Sequence, residues 1–190
     1  MNYGLPVSVE INGEEYQIRT DFRVILDILE VLSIPDCGVN EKTLTALDIF
    51  YPDFWRMSPR DWEEATRRCY WFIDGGGEPD CEKRPRLMDW EQDFPQIVAP
   101  INRVIGTEIR AIPYDRETNT GGLHWWTFLA AYQEIGGDCL FAQIVGIRSK
   151  KAKGKKLDKS EQEFYKRNRK LIDFTRKYTD RDDEVISKWI

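Results

Sequence analysis

The chain is poor in the residue types that most catalytic and metal-binding sites require. His124 is the only histidine. That excludes metal sites built on several imidazoles and any relay between two histidines. The four cysteines, Cys37, Cys69, Cys81 and Cys139, are scattered and form no Cys-x-x-Cys pair. Four reduced thiols in a cytosolic setting are expected, rather than a disulfide framework. No apolar run approaches the length of a membrane span, so no membrane association is expected. The opening stretch "MNYGLPVSVEING" has neither the basic nor the apolar region of a secretory leader, which also points to a cytoplasmic protein. Gly75-Gly76-Gly77 is followed by no Gly-Lys-Ser/Thr and preceded by no strand pattern. It is a helix end and connector rather than a phosphate cradle.

What is present suits a folded body. The 190 residues are 41% hydrophobic and include seven tryptophans, enough for one ordinary domain with a real core. The formal net charge is -5, which disfavours a general binder of nucleic acid or membrane surface. The charge is unevenly spread, however. Residues 148–170 hold 11 basic and 3 acidic side chains, a surplus of +8, which leaves -13 on the remainder.

The local patterns predict one mostly α-helical domain over residues 1–190, with an N-terminal β-hairpin in 1–19 and no internal repeat. In "VSVEINGEEYQIR", Asn12-Gly13 suits a type I′ turn, which sets Val9 opposite Tyr16 and Val7 opposite Ile18. "TDFRVILDILEVL" has helical spacing, with Thr20 or Asp21 as cap and Pro35 as terminator. A short helix is predicted from about Glu41 to Phe50. Another is predicted from "SPRDW", with Ser58 as N-cap and Trp62, Ala65, Cys69 and Phe72 on one face. Asp93 is expected to cap a helix beginning near Pro95, and "IPYDRETNTGG" is expected to be an exposed loop.

"LHWWTFLAAYQEIGG" is apolar on most faces. Trp125, Trp126, Phe128, Leu129 and Tyr132 are therefore assigned to the core rather than to base or sugar stacking. "DCLFAQIVGIRS" is expected to continue as a second buried helix. Asp158 and Glu161 have the spacing of a capping box for the helix that follows. Leu157, Phe164, Leu171 and Tyr178 recur every seven residues, but polar residues at the intervening places do not support a coiled-coil seam. A last helix is predicted in "DDEVISKWI".

No catalytic constellation emerges, and neither a cofactor nor enzymatic activity is expected. His124 is read as a capping or hydrogen-bonding residue rather than as a partner of Cys139. Asp180–Asp183, "DRDD", lacks the glycine and distant glutamate of a calcium loop and suits a helix's first turn. The candidate functional feature is a basic, exposed connector over residues 148–159, carrying Arg148, Lys150, Lys151, Lys153, Lys155, Lys156 and Lys159. A strip that tracks phosphates would have aromatics between its lysines, and this one has none. A docking patch for an acidic partner surface is the preferred functional reading, beside a merely solvated loop.

"LHWWTFLAAYQEIGG" and "IRSKKAKGKKLDKSEQEFYKRNRKLI", with "DWEQDFPQIVAPINRVIG" and the hairpin start, resemble a family of bacteriophage and prophage proteins. Their genes lie in the tail-morphogenesis cluster of phages with long flexible tails, just before the tape-measure gene. The resemblance implies a non-catalytic tail assembly chaperone in the bacterial host cytoplasm. Its partners would be the tape-measure protein and another tail assembly protein, and homo-oligomerisation is compatible with it. The alternatives are a minor structural component retained in the virion and, less favoured, nucleic-acid binding through Arg148–Lys170.

Overall fold

The computed structural model describes residues 4–34, 37–77 and 85–175. Pro35, Cys81, the Asp180–Asp183 run, Tyr178 and the last expected helix lie outside the described residues. The architecture is mostly helical, with eight α-helices among the described residues and an N-terminal antiparallel hairpin, as the sequence patterns predict. The chain clusters into two compact units. One is drawn from residues up to 77 and from 110–130, the other from 85–109 and 131–175.

In the first unit, strands β1 (Ser8–Ile11) and β2 (Glu14–Gln17) pair with Val9 opposite Tyr16. Asn12 and Gly13 take φ of 50° and 88°, the two positive values that a type I′ turn demands. Beyond the ladder, the Ile18 amide donates to the Val7 carbonyl at 3.1 Å. Ile18 is fully buried, whereas Val7 stays exposed. The turn is held in place by Asn12 Nδ2, which donates to Asp61 at 2.7 Å.

Helix α1 (Phe22–Leu32) is capped by Asp21, whose carboxylate accepts the Arg23 amide at 3.0 Å. Asp21 is buried, so it needs further donors. The Arg23 guanidinium supplies two bonds and the Leu123 amide a third. Gly122 permits this approach: a Cβ there would lie 2.3 Å from Asp21 Oδ2. The loop expected at residues 112–122 contains a short hairpin, β3 (Tyr114–Asp115) with β4 (Thr120–Gly121). Asn119 of that hairpin, at φ 52°, donates to the Ile18 carbonyl.

Helix α2 (Val39–Phe50) packs on α1. Ser58 makes no side-chain cap; a 3₁₀ turn over Pro59–Asp61 leads instead into α3 (Trp62–Ile73). Ala65, Cys69 and Phe72 are buried as expected, while Trp62 is only half-buried against Phe54.

In the second unit, helix α4 spans Trp90–Ile105 and contains both Pro95 and Pro100. Its cap is Asp89, not Asp93, because the Asp89 carboxylate accepts the Gln92 amide at 2.9 Å. Asp93 lies one turn inside the helix and is buried.

Helix α5 (Trp125–Gln133) contributes residues 125–130 to the first unit and 131–133 to the second. Its two tryptophans have a shared task. The last carbonyls of α3 lack intrahelical donors. Trp125 Nε1 donates to the Ile73 carbonyl at 2.8 Å, and Trp126 Nε1 to the Phe72 carbonyl at 2.9 Å. Trp125 and Phe128 are buried and stacked at 5.3 Å, and Phe128 stacks on Phe22. Trp126, Leu129 and Tyr132 are half-buried rather than fully enclosed. In the second unit, Tyr132 packs on Trp90 and Phe141.

His124 caps the start of α5. Its Nδ1 accepts the Trp126 amide at 3.1 Å, which places the proton on Nε2, the donor to the Pro6 carbonyl at 2.9 Å. Burial holds its pKa below the ordinary value, against a smaller opposing effect of the Pro6 bond.

Replacing Trp125 with Phe is expected to cost about 1–3 kcal/mol, because a buried carbonyl loses its donor. Trp126→Phe should cost less, since that ring is half-exposed. Urea unfolding of the two variants checks the order. Because folding depresses the His124 pKa, the unfolded chain takes up the proton first as pH falls. Stability is therefore fully present above about 6.5 and is lost as pH drops towards the depressed folded value. Asp74 acts in the opposite sense. Burial raises its pKa to about 6, so its contribution declines as pH rises from about 4 to 6. Thermal melts of wild type and His124→Gln across pH 5–7.5 isolate the imidazole, and the variant should lose less stability on acidification.

Candidate functional site

The basic strip begins inside helix α6 (Leu140–Ala152). Cys139 opens that helix, its Sγ accepting the Ala142 amide. Phe141, Ile144, Ile147 and Arg148 form its buried face. Their spacing of three and four residues is that of one helical stripe. Ile144 and Ile147 pack with Ile172 of α8 (Arg169–Ile172). Leu157, Phe164 and Leu171 close over this cluster. Leu157, Phe164 and Leu171 of the seven-residue recurrence thus serve a core within one chain.

Arg148 departs from the exposed strip expected of it. It is 4% exposed, and its guanidinium pairs with Asp93 at 2.5 and 3.0 Å. The remaining donors go to the carbonyls of Ile172, Leu87 and Leu171 at 2.7–3.0 Å. All five N–H groups of the fork are used. The Phe174 ring covers the guanidinium carbon at 4.2 Å. Asp93 also accepts the Asp89 amide at the start of α4. A charge removed from water needs this many partners, and none of them is available to a binding partner.

The next two lysines are also occupied. Lys150 pairs with Glu161. Lys151 donates to Asp173 at 2.7 Å and to the Tyr165 hydroxyl at 3.0 Å, with its ammonium over the Tyr165 ring. Hydrogen bonding to Lys150 lowers the Glu161 pKa. For Asp173, partial burial acts to raise the pKa, but the bonds from Lys151, Tyr165 and Arg169 prevail and hold it low. As cations in the last turn of α6, these lysines also oppose the negative end of the helix dipole.

The strip then turns in an ordered way. Lys155 N–H donates to the Lys150 carbonyl at 2.8 Å, and Gly154 N–H to the Lys151 carbonyl at 3.0 Å. Gly154 takes φ of 64°. This bond pair with a left-handed glycine is a Schellman ending. Four residues later, Asp158 opens α7 (Lys159–Arg167) with a complete capping box. Its carboxylate accepts the Glu161 amide and the Ser160 hydroxyl, and Glu161 accepts the Asp158 amide. The Asp158 pKa is lowered chiefly by the Glu161 amide.

Around these two stops stand Lys153, Lys155, Lys156 and Lys159. All four are exposed. Their side chains make no hydrogen bond or ion pair among the described residues. Among the described residues, the ridge is fixed in backbone and unneutralised in charge. Of the seven basic residues predicted as a docking patch, the structure keeps these four together and assigns Arg148, Lys150 and Lys151 to internal pairs. Asp93, Asp173, Tyr165 and Phe174 are the partners that sequence reasoning missed. Only the capping-box spacing of Asp158 and Glu161 signalled any of this network.

Among the described residues, no helix is long and apolar enough to cross a membrane, and no group of three or more His, Cys, Asp or Glu is placed to hold a metal ion.

A mostly helical protein with an N-terminal hairpin and, among the described residues, an exposed lysine ridge is thus the class that fold and surface define. The family model described as bacteriophage Gp15 protein matches residues 1–96 and 113–174. The chain belongs to that bacteriophage protein family. No curated protein and no solved structure matches it.

Removing Arg148 should leave Asp93 buried without its cation. Arg148→Ala is expected to destabilise by about 3–5 kcal/mol. Lys153→Ala and Lys156→Ala should each stay within about 0.5 kcal/mol of wild type. Guanidinium unfolding of the three variants provides the comparison.

Proposed function

We propose that this protein is a non-catalytic tail assembly factor that binds the tape-measure protein before tail-tube polymerisation. Membership of a bacteriophage family supports the setting. The resemblance of "LHWWTFLAAYQEIGG" and of the basic run to proteins encoded just before the tape-measure gene supports the particular role. The observation that carries the reading is the ordered lysine ridge, unneutralised among the described residues, on an otherwise acidic chain. An assembly chaperone must hold a client and later release it. Exposed charge pairs suit that task, because they speed encounter and contribute modest, salt-sensitive affinity.

Co-expression with the tape-measure protein of the same phage provides the test. The chaperone reading expects the client to become more soluble and to co-purify with this protein. It also expects this protein to be absent, or nearly so, from purified virions by mass spectrometry. Stoichiometric retention in virions would reassign it as a minor structural component. Absence of both binding and improved solubility would overturn the chaperone role.

A further inference from the structure

We infer that Lys153, Lys155, Lys156 and Lys159 form the docking surface for an acidic polypeptide segment, a statement that gives the assembly reading above its contact residues and rests on that reading for the identity of the client. Four ammonium groups without a partner among the described residues fall within seven residues, on a backbone held by the Schellman ending of α6 and the capping box of α7. Lys159 occupies the first position of α7, where the positive end of the helix dipole disfavours a cation. The one carboxylate among them, Asp158, is engaged by the Glu161 amide and the Ser160 hydroxyl. The ridge is therefore electrostatically frustrated in the free protein. Lysines at adjoining positions are not left so, since Lys150 and Lys151 have Glu161 and Asp173. A row of carboxylates from outside relieves the repulsion that the fold leaves in place.

The partner's chemistry follows from what surrounds the ridge. No aromatic and no arginine lies between Lys153 and Lys159, so base stacking and the forked recognition of phosphate are both missing. The residues outside 148–170 total -13. A long polyanion such as duplex DNA meets that opposing field. A short acidic segment senses only the nearest charges, because screening at physiological salt has a length of about 8 Å. The ridge thus favours a compact carboxylate-bearing polypeptide over nucleic acid.

The probe is a fluorescein-labelled 20-residue peptide rich in Glu and Asp, titrated by anisotropy beside a labelled 20-bp DNA duplex. The peptide is expected to bind wild type and to weaken several-fold between about 50 and 200 mM salt, with the duplex binding more weakly. The quadruple change Lys153→Glu, Lys155→Glu, Lys156→Glu, Lys159→Glu should weaken peptide binding by about tenfold or more without lowering the melting temperature. The matching quadruple Gln variant provides the same test should the Glu variant fold poorly, and the double reversal Lys166→Glu, Lys170→Glu should have less than half the effect of the quadruple one. Peptide binding that is absent at low salt, or unchanged in both quadruple variants, overturns the inference. So does tighter binding of the duplex, or a salt-sensitive self-association that the quadruple variant abolishes. Tape-measure solubility separates this claim from the broader one. Full rescue by the quadruple variant removes the ridge from client binding and leaves the chaperone reading standing. Failure of rescue by wild type, with peptide binding intact, removes the chaperone reading and leaves the acidic-peptide surface.

Discussion

The ion pair between Arg148 and Asp93 is the constraint on which the second unit depends. One guanidinium joins the N-terminal turn of α4 to α6 and to the carbonyls that end α8. A lysine does not replace it: an ammonium has three donors and no plane, whereas this site consumes five donors and a ring face. The segment it secures is bound from a second side by Gln92. That side-chain amide donates to the Leu171 and Asp173 carbonyls, and its oxygen accepts the Thr175 amide. Committing Arg148 inward fixes the rotation of α6. Lys151, three residues on, then meets Asp173 and Tyr165, while Lys150 meets Glu161.

A run of charge that looks uniform along the chain is thus two objects in space. The first part contributes to the fold through buried or half-buried pairs. In the second part, the side chains of Lys153, Lys155, Lys156 and Lys159 make no bond among the described residues, and Lys159 opposes the dipole at the start of α7. Local conflict of this kind, in a segment whose caps are otherwise well formed, marks places where function overrides stability. That contrast between satisfied and unsatisfied neighbours, rather than the number of lysines, directs attention to the ridge.

Much of the fold was legible in the sequence, because turn and cap chemistry act over a few residues. Asn12-Gly13 announced the hairpin and its register, and Asp21 and the Asp158–Glu161 box announced helix starts. The Trp125-Trp126 pair was legible as structural, but not as two donors for the end of α3, since that needs a partner more than fifty residues away. Asp93 misled because an acid before a proline imitates a cap. The true cap, Asp89, lies one turn earlier, and α4 tolerates both Pro95 and Pro100. The burial of Arg148 was hidden for a related reason. It sits two residues before a run of lysines, and only the helical phase set by Phe141, Ile144 and Ile147 places it on the inner face. Gly154 takes a left-handed φ and completes an ordered helix ending.

The division of the strip is open to direct measurement by quantitative amine labelling of the folded protein, read lysine by lysine in a mass spectrometer. Lys153, Lys155, Lys156 and Lys159 should react rapidly and alike, with Lys150 and Lys151 slower because Glu161, Asp173 and Tyr165 hold their ammonium groups. Uniform reactivity across all six, or protection of the four in the free protein, would contradict the account.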